Sequence, residues 1–213
     1  MNNVFVIGVG LIGGSLCLDI KKIYPKVKIY GIDSSVDNLD LAVELNLIDF
    51  KTSLDNLNKA DLVLISTPVD VANKIIIDVL NNINSKSLVI DFGSTKTNIC
   101  SKVNNHKKRK NYLASHPIAG TEFSGPKAAF LGLFSNKTII LCDSEKTDTN
   151  LLTTAENIFR SMQMNIRYMD SFSHDKHIAY VSHLSHISSF MLGKTVMDKE
   201  KNENNIFDMA GSG

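Results

Sequence analysis

A glycine-rich stretch near the start of the chain constrains the fold more than any other feature of the sequence. The stretch GVGLIG at residues 8–13 follows a β-branched and aromatic run and opens an apolar helical pattern. Its spacing is the dinucleotide fingerprint, in which Gly8 allows a tight turn, Gly10 lets a pyrophosphate approach and Gly13 lets the helix pack closely. With Leu11 and Ile12 at the helix N-terminus, these residues are predicted to bind the cofactor diphosphate.

The pattern that follows predicts the fold class. Short buried runs typical of strands alternate with amphipathic helical patterns as far as residue 170, which predicts a Rossmann-type, doubly wound, mostly parallel sheet. Beyond that point no strand pattern appears, and one long helix is predicted over residues 173–196. We therefore predict a nucleotide-binding domain at residues 1–170 and the beginning of an all-helical domain at residues 171–213.

The end of the second predicted strand indicates which cofactor binds. Asp33 lies there, twenty positions after Gly13, and a carboxylate at this place accepts hydrogen bonds from a ribose 2′-hydroxyl and repels a 2′-phosphate. NAD is therefore favoured over NADP. Ser66, Thr67 and Pro68 follow the third buried run and are predicted to border the cofactor cleft, although a Thr-Pro sequence also simply begins a helix.

Two polar groups after later strands are candidates for the chemistry. Ser94, in the turn after the run at residues 88–90, is predicted either to cap the next helix or to border the cofactor and hold one tautomer of His116. His116 ends another predicted strand and precedes a turn that contains Thr121. A neutral imidazole there could accept a hydroxyl proton while hydride leaves the same carbon.

The long C-terminal helix carries no Lys, Arg, Asp or Glu between residues 177 and 193, so we expect it to be shielded from water. At 100° per residue one broad face is apolar and is expected to pack on another helix, such as that of a second subunit. The opposite face carries Asp175, Ser182, His186 and Ser189 and is predicted to line a ligand cavity. A metal site is the weaker alternative for the histidines at 174, 177, 183 and 186, because one helix cannot easily converge four imidazoles on one ion.

Composition excludes other classes of function. A net charge of +1 argues against a nucleic-acid partner, and the basic run at residues 106–110 is interpreted as a solvated connector. Cys17, Cys100 and Cys142 lie far apart in sequence and are predicted to be reduced core residues, as in a cytoplasmic protein. The sequence shows no leader and no apolar run of about 18 residues, so no membrane association is expected.

Four blocks of sequence together resemble the prephenate dehydrogenase family. They are GVGLIGGSL from residue 8, DFGSTK from residue 91, HPIAGTEFSGP from residue 116 and SHLSH from residue 182. The resemblance implies an NAD-binding domain, a helical domain that forms a homodimer, and NAD-dependent oxidative decarboxylation of prephenate to 4-hydroxyphenylpyruvate in tyrosine biosynthesis.

The resemblance also implies roles for individual residues. His116 would accept a hydrogen bond from the ring hydroxyl of the substrate and be oriented by Ser94. The substrate-side motif would comprise Ser182, His183 and His186, with Asp175 and Thr121 beside the substrate. Other possibilities are a dehydrogenase for arogenate or another β-hydroxy acid, and a catalytically silent dinucleotide-sensing dimer.

The chain departs from the family pattern at two points. Ser185 stands where the family commonly has proline, so the helix can continue without a kink. The family's substrate-binding arginine and most of its helical domain would follow Gly213. We therefore expect a C-terminally truncated chain, which could bind NAD without turning over prephenate.

Overall fold

The computed structural model describes residues 1–199, without the side chains of residues 182–186, 196–197 and 199. Strands and helices alternate over most of this range. In chain order the strands are β1 (Asn3–Ile7), β2 (Lys28–Ile32), β3 (Phe50–Lys51), β4 (Leu62–Ile65), β5 (Leu88–Asp91), β6 (Tyr112–Pro117), β7 (Thr138–Cys142) and β8 (Asn165–Met169). The helices are α1 (Leu11–Ile23), α2 (Val36–Glu44), α3 (Val69–Asn82), α4 (Thr97–Val103), α5 (Thr149–Ser161), α6 (Ser171–Ile178) and α7 (Leu184–Lys199).

The described strands form one sheet in the order β3-β2-β1-β4-β5-β6-β7-β8. All neighbours pair in parallel except β6 and β7, which run antiparallel with His116 opposite Ile140. This confirms the predicted doubly wound, mostly parallel sheet. The chain leaves β1 towards β2 on one side and returns to β4 on the other, and ligands bind at such a reversal of strand order, at the carboxyl ends of the strands.

Helices cover both faces of the sheet at its centre, which explains why β1, β4 and β5 are nearly continuous apolar runs. In β1, Val4 and Val6 face the layer that holds α1 and α5, whereas Phe5 and Ile7 face the layer that holds α3 and α4. All four side chains are buried. Packing on both faces therefore fixes the position of β1 in the sheet, and with it the position of the glycine-rich turn that follows.

The basic run at residues 106–110 is not a fully solvated connector, so that prediction is wrong. Two of its side chains join neighbouring segments through hydrogen bonds. Arg109 is only 7% exposed and donates to the carbonyl oxygens of Tyr112 and Asp143 at 2.8 and 3.0 Å. Lys108 Nζ donates to the carbonyl oxygen of Ile83 just after α3. The charge pattern of the sequence does not reveal these contacts, because the basic side chains donate to backbone carbonyl oxygens and not to acidic side chains.

The chain divides into two compact units, of which the first spans Met1–His174 and the second begins at Asp175. The second unit contains a π-helical turn, Ala179–His183, between α6 and α7. A π-turn inserts one residue into the helical repeat, so the single 100° projection predicted for residues 173–196 does not hold along the whole segment.

Large apolar side chains of α7 are not covered by the rest of the described residues. Phe190 is 79% exposed and Leu192 68% exposed. The expected shielding of this segment by another helix, such as that of a second subunit, stays a prediction. Within the described residues, no helix is long and apolar enough to span a membrane.

Candidate active site

Backbone geometry requires glycine at two positions of the turn between β1 and α1. Gly8 has φ +89°, and a Cβ there would lie 2.8 Å from the carbonyl oxygen of Ser66. A Cβ on Gly13 would lie 2.0 Å from the carbonyl oxygen of Gly8. A Cβ on Gly10, in contrast, meets only the amide nitrogen of Gly125, at 4.0 Å. The fold itself requires Gly8 and Gly13, whereas Gly10 keeps space open at the N-terminus of α1, where a phosphate can approach.

Asp33 lies just after β2, and its carboxylate is tied to the glycine-rich turn. Oδ2 accepts from the backbone N–H of Val9 at 3.0 Å, and Oδ1 accepts from the N–H of Ser35 at 2.9 Å. A carboxylate has about four acceptor positions, so these two bonds orient the group without exhausting it. Asp33 can still accept hydrogen bonds from a ribose.

Two adjoining cavities lie along this edge of the sheet. The first, about 520 Å³, is bordered by Asp33 and lies beside Gly8 and Gly10. The second, about 370 Å³, extends to Ser94. Residues common to both linings are Gly10, Ser66, Thr67, Pro68 and Gly125, while Leu11 and Ile12 border the second. The structure therefore brings the predicted cofactor residues to the rim of one groove, except Gly13, which lies in α1 and packs against the carbonyl of Gly8.

A fully buried charged cluster supports the Ser94 end of that groove. Lys96 Nζ lies 2.5 Å from Asp91 Oδ2, with side-chain exposures of 0% and 1%. The same ammonium donates to the carbonyl oxygen of Ser115 at 2.9 Å, and the hydroxyl of Tyr112 donates to Asp91 Oδ1 at 2.6 Å. Burial, followed by the charge of Asp91, raises the pKa of Tyr112 well above its ordinary value, so this phenol stays a donor.

The cluster also fixes the end of β6, which carries His116. Ser115 Oγ donates to the carbonyl oxygen of Asp91 at 2.7 Å, and its own carbonyl oxygen is held by Lys96. His116 is the next residue and is half-buried. Because the hydrogen bonds of its neighbour lock the strand, the backbone of His116 has little freedom to move.

The side chain of His116 contacts a second histidine. Its Nδ1 lies 2.9 Å from Nε2 of His174, and the two rings meet edge to face, with centroids 5.1 Å apart and planes at 71°. His174 is fully buried in the first turn of α6. At this distance one ring nitrogen donates to the other.

The other predicted site residues have different outcomes. The prediction that Ser94 caps a helix is wrong, since α4 begins at Thr97 with Lys96 in the N-cap position. Ser94 is exposed and borders the second cavity, and its role in orienting His116 stays a prediction. Thr121 is exposed in the loop after β6, where its hydroxyl accepts from the N–H of Phe123.

The predicted substrate residues on the long helix are only partly described. Asp175 is half-buried at the beginning of the second unit. The side chains of Ser182, His183 and His186 lie outside the described residues, so their predicted roles in binding substrate, and the metal alternative, stay untested.

Sequence reasoning overlooked three residues of the site. Asp91 and Lys96 belong to the block DFGSTK, of which only Ser94 was selected. An acid and a base five residues apart, directly after a buried strand, were the available signal for a buried ion pair. His174 was considered only as a metal ligand, because nothing in the sequence links it to His116, 58 residues earlier.

Comparisons with known proteins converge on one family. Residues 16–168 match the model of the prephenate dehydrogenase nucleotide-binding domain, and residues 170–213 match that of the prephenate dehydrogenase dimerization domain. Prephenate dehydrogenase of Bacillus subtilis is 31% identical over 190 residues, which cover 87% of this chain and 51% of that protein. The chain thus spans about half the length of this curated relative.

Solved structures show the same similarity. Prephenate dehydrogenase of Aquifex aeolicus, in complex with hydroxyphenyl propionate and NAD+, superposes with a TM-score of 0.89 at 31% identity, covering 100% of this chain and 75% of that one. Arogenate dehydrogenase of Synechocystis superposes with a TM-score of 0.82 at 25% identity, covering 99% and 75%.

Proposed function

The chain belongs to the prephenate dehydrogenase family, and on that basis we propose that the protein oxidatively decarboxylates prephenate to 4-hydroxyphenylpyruvate with NAD, a step of tyrosine biosynthesis. The observation that carries this proposal is the continuous groove that runs from Asp33, past Gly10, to Ser94. The groove offers an acceptor for a ribose at one end and an uncrowded helix N-terminus in the middle, an arrangement that suits a dinucleotide.

The residues of the groove fit NAD on three grounds. Gly10 leaves room for the pyrophosphate, since even a Cβ would meet nothing closer than 4.0 Å. Asp33 is held in place by Val9 and Ser35, ready to accept from a 2′-hydroxyl. The same carboxylate would repel a 2′-phosphate, which favours NAD over NADP. When bound, NAD would supply the hydride acceptor.

His116 would act on the ring hydroxyl of the substrate. We assign to its ring nitrogen the acceptance of a hydrogen bond from this hydroxyl, or of the hydroxyl proton. Hydride leaves the ring carbon that bears the same hydroxyl. Breakage of the bond to the ring carboxylate releases carbon dioxide and leaves an electron pair that completes the aromatic ring. The phenol product recovers the proton, so the protein's contribution is to position the substrate and hold this proton.

The second unit would supply substrate contacts and the subunit interface. Asp175, Ser182, His183 and His186 are the proposed substrate residues on that side, with Thr121 from the loop after β6. We propose a homodimer formed through the C-terminal helices, which the exposed apolar side chains of α7 support, because large apolar patches mark interfaces. The three buried cysteines form no disulfide, which supports a reducing, cytoplasmic location.

Arogenate is the second candidate substrate. It has the same ring, hydroxyl and leaving carboxylate, and differs only in carrying an amino group where the side chain of prephenate has a keto group. The structural similarity to the arogenate dehydrogenase of Synechocystis favours retaining it.

The proposal is tested by following NADH formation by the whole protein with prephenate and with arogenate. We expect turnover of prephenate and a loss of about 10²- to 10⁴-fold in kcat for His116→Asn, the range that one general base contributes. NAD binding, measured by calorimetry, should be unchanged in this variant. If the wild-type protein binds NAD but oxidises neither compound, it is a dinucleotide-sensing module and the enzyme proposal fails.

A further inference from the structure

The contact between His116 and His174 determines where the proton of each ring can lie. A neutral imidazole has one N–H, so a hydrogen bond between Nδ1 of His116 and Nε2 of His174 leaves two arrangements. If His174 donates, the proton of His116 lies on Nε2, which then cannot accept. If His116 donates from Nδ1, its Nε2 becomes the acceptor nitrogen. Only the second arrangement suits the proton acceptor of the proposed function.

The first turn of α6 is docked firmly enough to make this contact specific. The carboxylate of Asp143 accepts from the backbone N–H of Ser171 at 2.8 Å and from its hydroxyl at 3.1 Å. Thr97 Oγ1 donates to the carbonyl oxygen of Ser171 at 3.0 Å. These bonds come from two different elements, so the turn that carries His174 is held against the sheet from two directions.

Backbone strain marks the same docking point. Asp143 has φ +47°, a left-handed conformation that few residues other than glycine adopt. It is stabilised by its place in the network: its carbonyl oxygen accepts from Arg109, and its carboxylate holds the start of α6. The position of His174 thus depends on a conformation that the surrounding structure must enforce.

We propose that His174 is a positioning residue that accepts a hydrogen bond from Nδ1 of His116 and so keeps Nε2 of His116 as the proton acceptor. This inference rests on the proposed function for the purpose of the acceptor, but the tautomer it names can be measured without any turnover. It gives His174 the orienting role that the sequence predicted for Ser94, and it leaves Ser94 as a residue that borders the cofactor groove.

The direct test is a long-range ¹H–¹⁵N correlation spectrum of the histidine-labelled whole protein, at a pH where both rings are neutral. The neutral histidine side chain in water favours the proton on Nε2, so the proposal expects the opposite tautomer, Nδ1–H, for His116. A wild-type spectrum that shows His116 with its proton on Nε2 overturns the proposal, whatever the variants do.

Two variants separate tautomer control from simple packing. His174→Gln keeps an acceptor near the position of Nε2, and His174→Phe keeps a ring of similar shape without the acceptor. We expect His174→Phe to move the proton of His116 to Nε2 and to lower kcat about 10- to 100-fold with less than about a threefold change in KM, as for an interaction that matters in the reaction step. His174→Gln should keep the Nδ1–H tautomer and recover kcat to within about fivefold of wild type.

The outcomes distinguish the two proposals. If His174→Phe and His174→Gln lower kcat equally while both keep the wild-type tautomer, His174 acts through packing alone and this inference fails. If the tautomer responds as expected but His116→Asn turns over prephenate normally, the inference stands and the proposed role of His116 in catalysis fails. Thermal unfolding of each variant confirms that the compared proteins are folded.

Discussion

The two sides of the cofactor groove are formed by different kinds of chemical group. On the side of β1 and β2, the groups that shape the groove are glycines and backbone amides, which also orient Asp33. On the side of β5 and β6, the supporting groups are side chains that are buried or, for His116, half-buried: the Lys96–Asp91 ion pair, Tyr112 and the His116–His174 pair. On the first side, the absence of Cβ atoms on the glycines leaves space for a ligand. On the second side, hydrogen bonds and an ion pair hold polar side chains in fixed positions.

The two constructions should fail differently. On the glycine side, an added Cβ that contacts the protein backbone should destabilise the fold. An added Cβ that points into the groove should instead block the ligand. Loss of a side chain on the other side leaves a buried group without its partner, which is costly because desolvation is no longer compensated. Substitutions on each side therefore test whether this division is real.

The largest effect is expected from Lys96→Met. Removing the ammonium leaves the carboxylate of Asp91 buried without its cation, and breaking a buried ion pair in this way costs about 3–5 kcal/mol. Urea unfolding should show this loss in the free energy of unfolding. The double variant Asp91→Asn with Lys96→Met should recover part of it, because the uncompensated charge is removed.

Lys86→Met is the matched control for this experiment. Lys86 is exposed, so the same change of side chain should alter the free energy of unfolding by no more than about 0.5 kcal/mol. Equal losses in the two single variants would show that the buried pair has no special role on this side of the groove.

Gly13→Ala and Gly10→Ala should divide the glycine side into two functions. A Cβ on Gly13 meets backbone at 2.0 Å, so we expect a loss of about 1–3 kcal/mol in stability together with weaker NAD binding. A Cβ on Gly10 meets no protein atom closer than 4.0 Å, so Gly10→Ala should fold normally and lose at least about tenfold in NAD affinity, equivalent to 1.4 kcal/mol.

The control for both is Gly120→Ala, where an added Cβ meets nothing within 4 Å. It should change neither the melting temperature nor the affinity for NAD measured by calorimetry. If Gly10→Ala binds NAD as tightly as wild type does, the pyrophosphate does not lie over this turn, and the assignment of the groove is wrong.

The contrast between the two sides also explains how much the sequence could predict. The glycine side is encoded within residues 8–13 and Asp33, because its geometry depends on local turn chemistry and on a strand end. The central strands β1, β4 and β5 were predictable, since both of their faces are covered and their sequences are nearly continuous apolar runs. The two-residue β3 carried no such signal.

The side-chain cluster was not predictable by the same means. Asp91 is joined to Tyr112, and His116 to His174, across 21 and 58 residues of chain. Such contacts depend on the packing of whole elements, and no periodicity reports them. The π-turn at Ala179–His183 was missed for a related reason: a single inserted residue breaks the phase of a helix without changing its composition.

The smallest expected effect concerns another buried carboxylate, that of Asp19 in α1, the helix that follows the glycine-rich turn. Its Oδ1 accepts from the N–H of Gly132 at 3.1 Å, whereas its Oδ2 is buried and has no hydrogen-bond partner among the described residues. Asp91, in contrast, has both oxygens bonded. Burial raises the pKa of Asp19, since the charged form is poorly solvated, although the Gly132 bond and Lys22 partly oppose this.

The pKa of Asp19 is higher in the folded than in the unfolded protein, so binding of a proton to this carboxylate stabilises the fold. This stabilisation is complete below the ordinary aspartate pKa of about 3.9 and is lost as pH rises through the folded-state value.

Asp19→Asn removes this loss, so the melting temperature of the variant relative to wild type should be higher at pH 7 than at pH 4. We expect a difference of at most about 2–4 °C, which corresponds to about 1 kcal/mol for a domain of this size. The control for the loss of a carboxylate is Asp78→Asn, at an exposed position of α3. A relative melting temperature of Asp19→Asn that is constant or falls between pH 4 and pH 7 would show that Asp19 is as well compensated as Asp91.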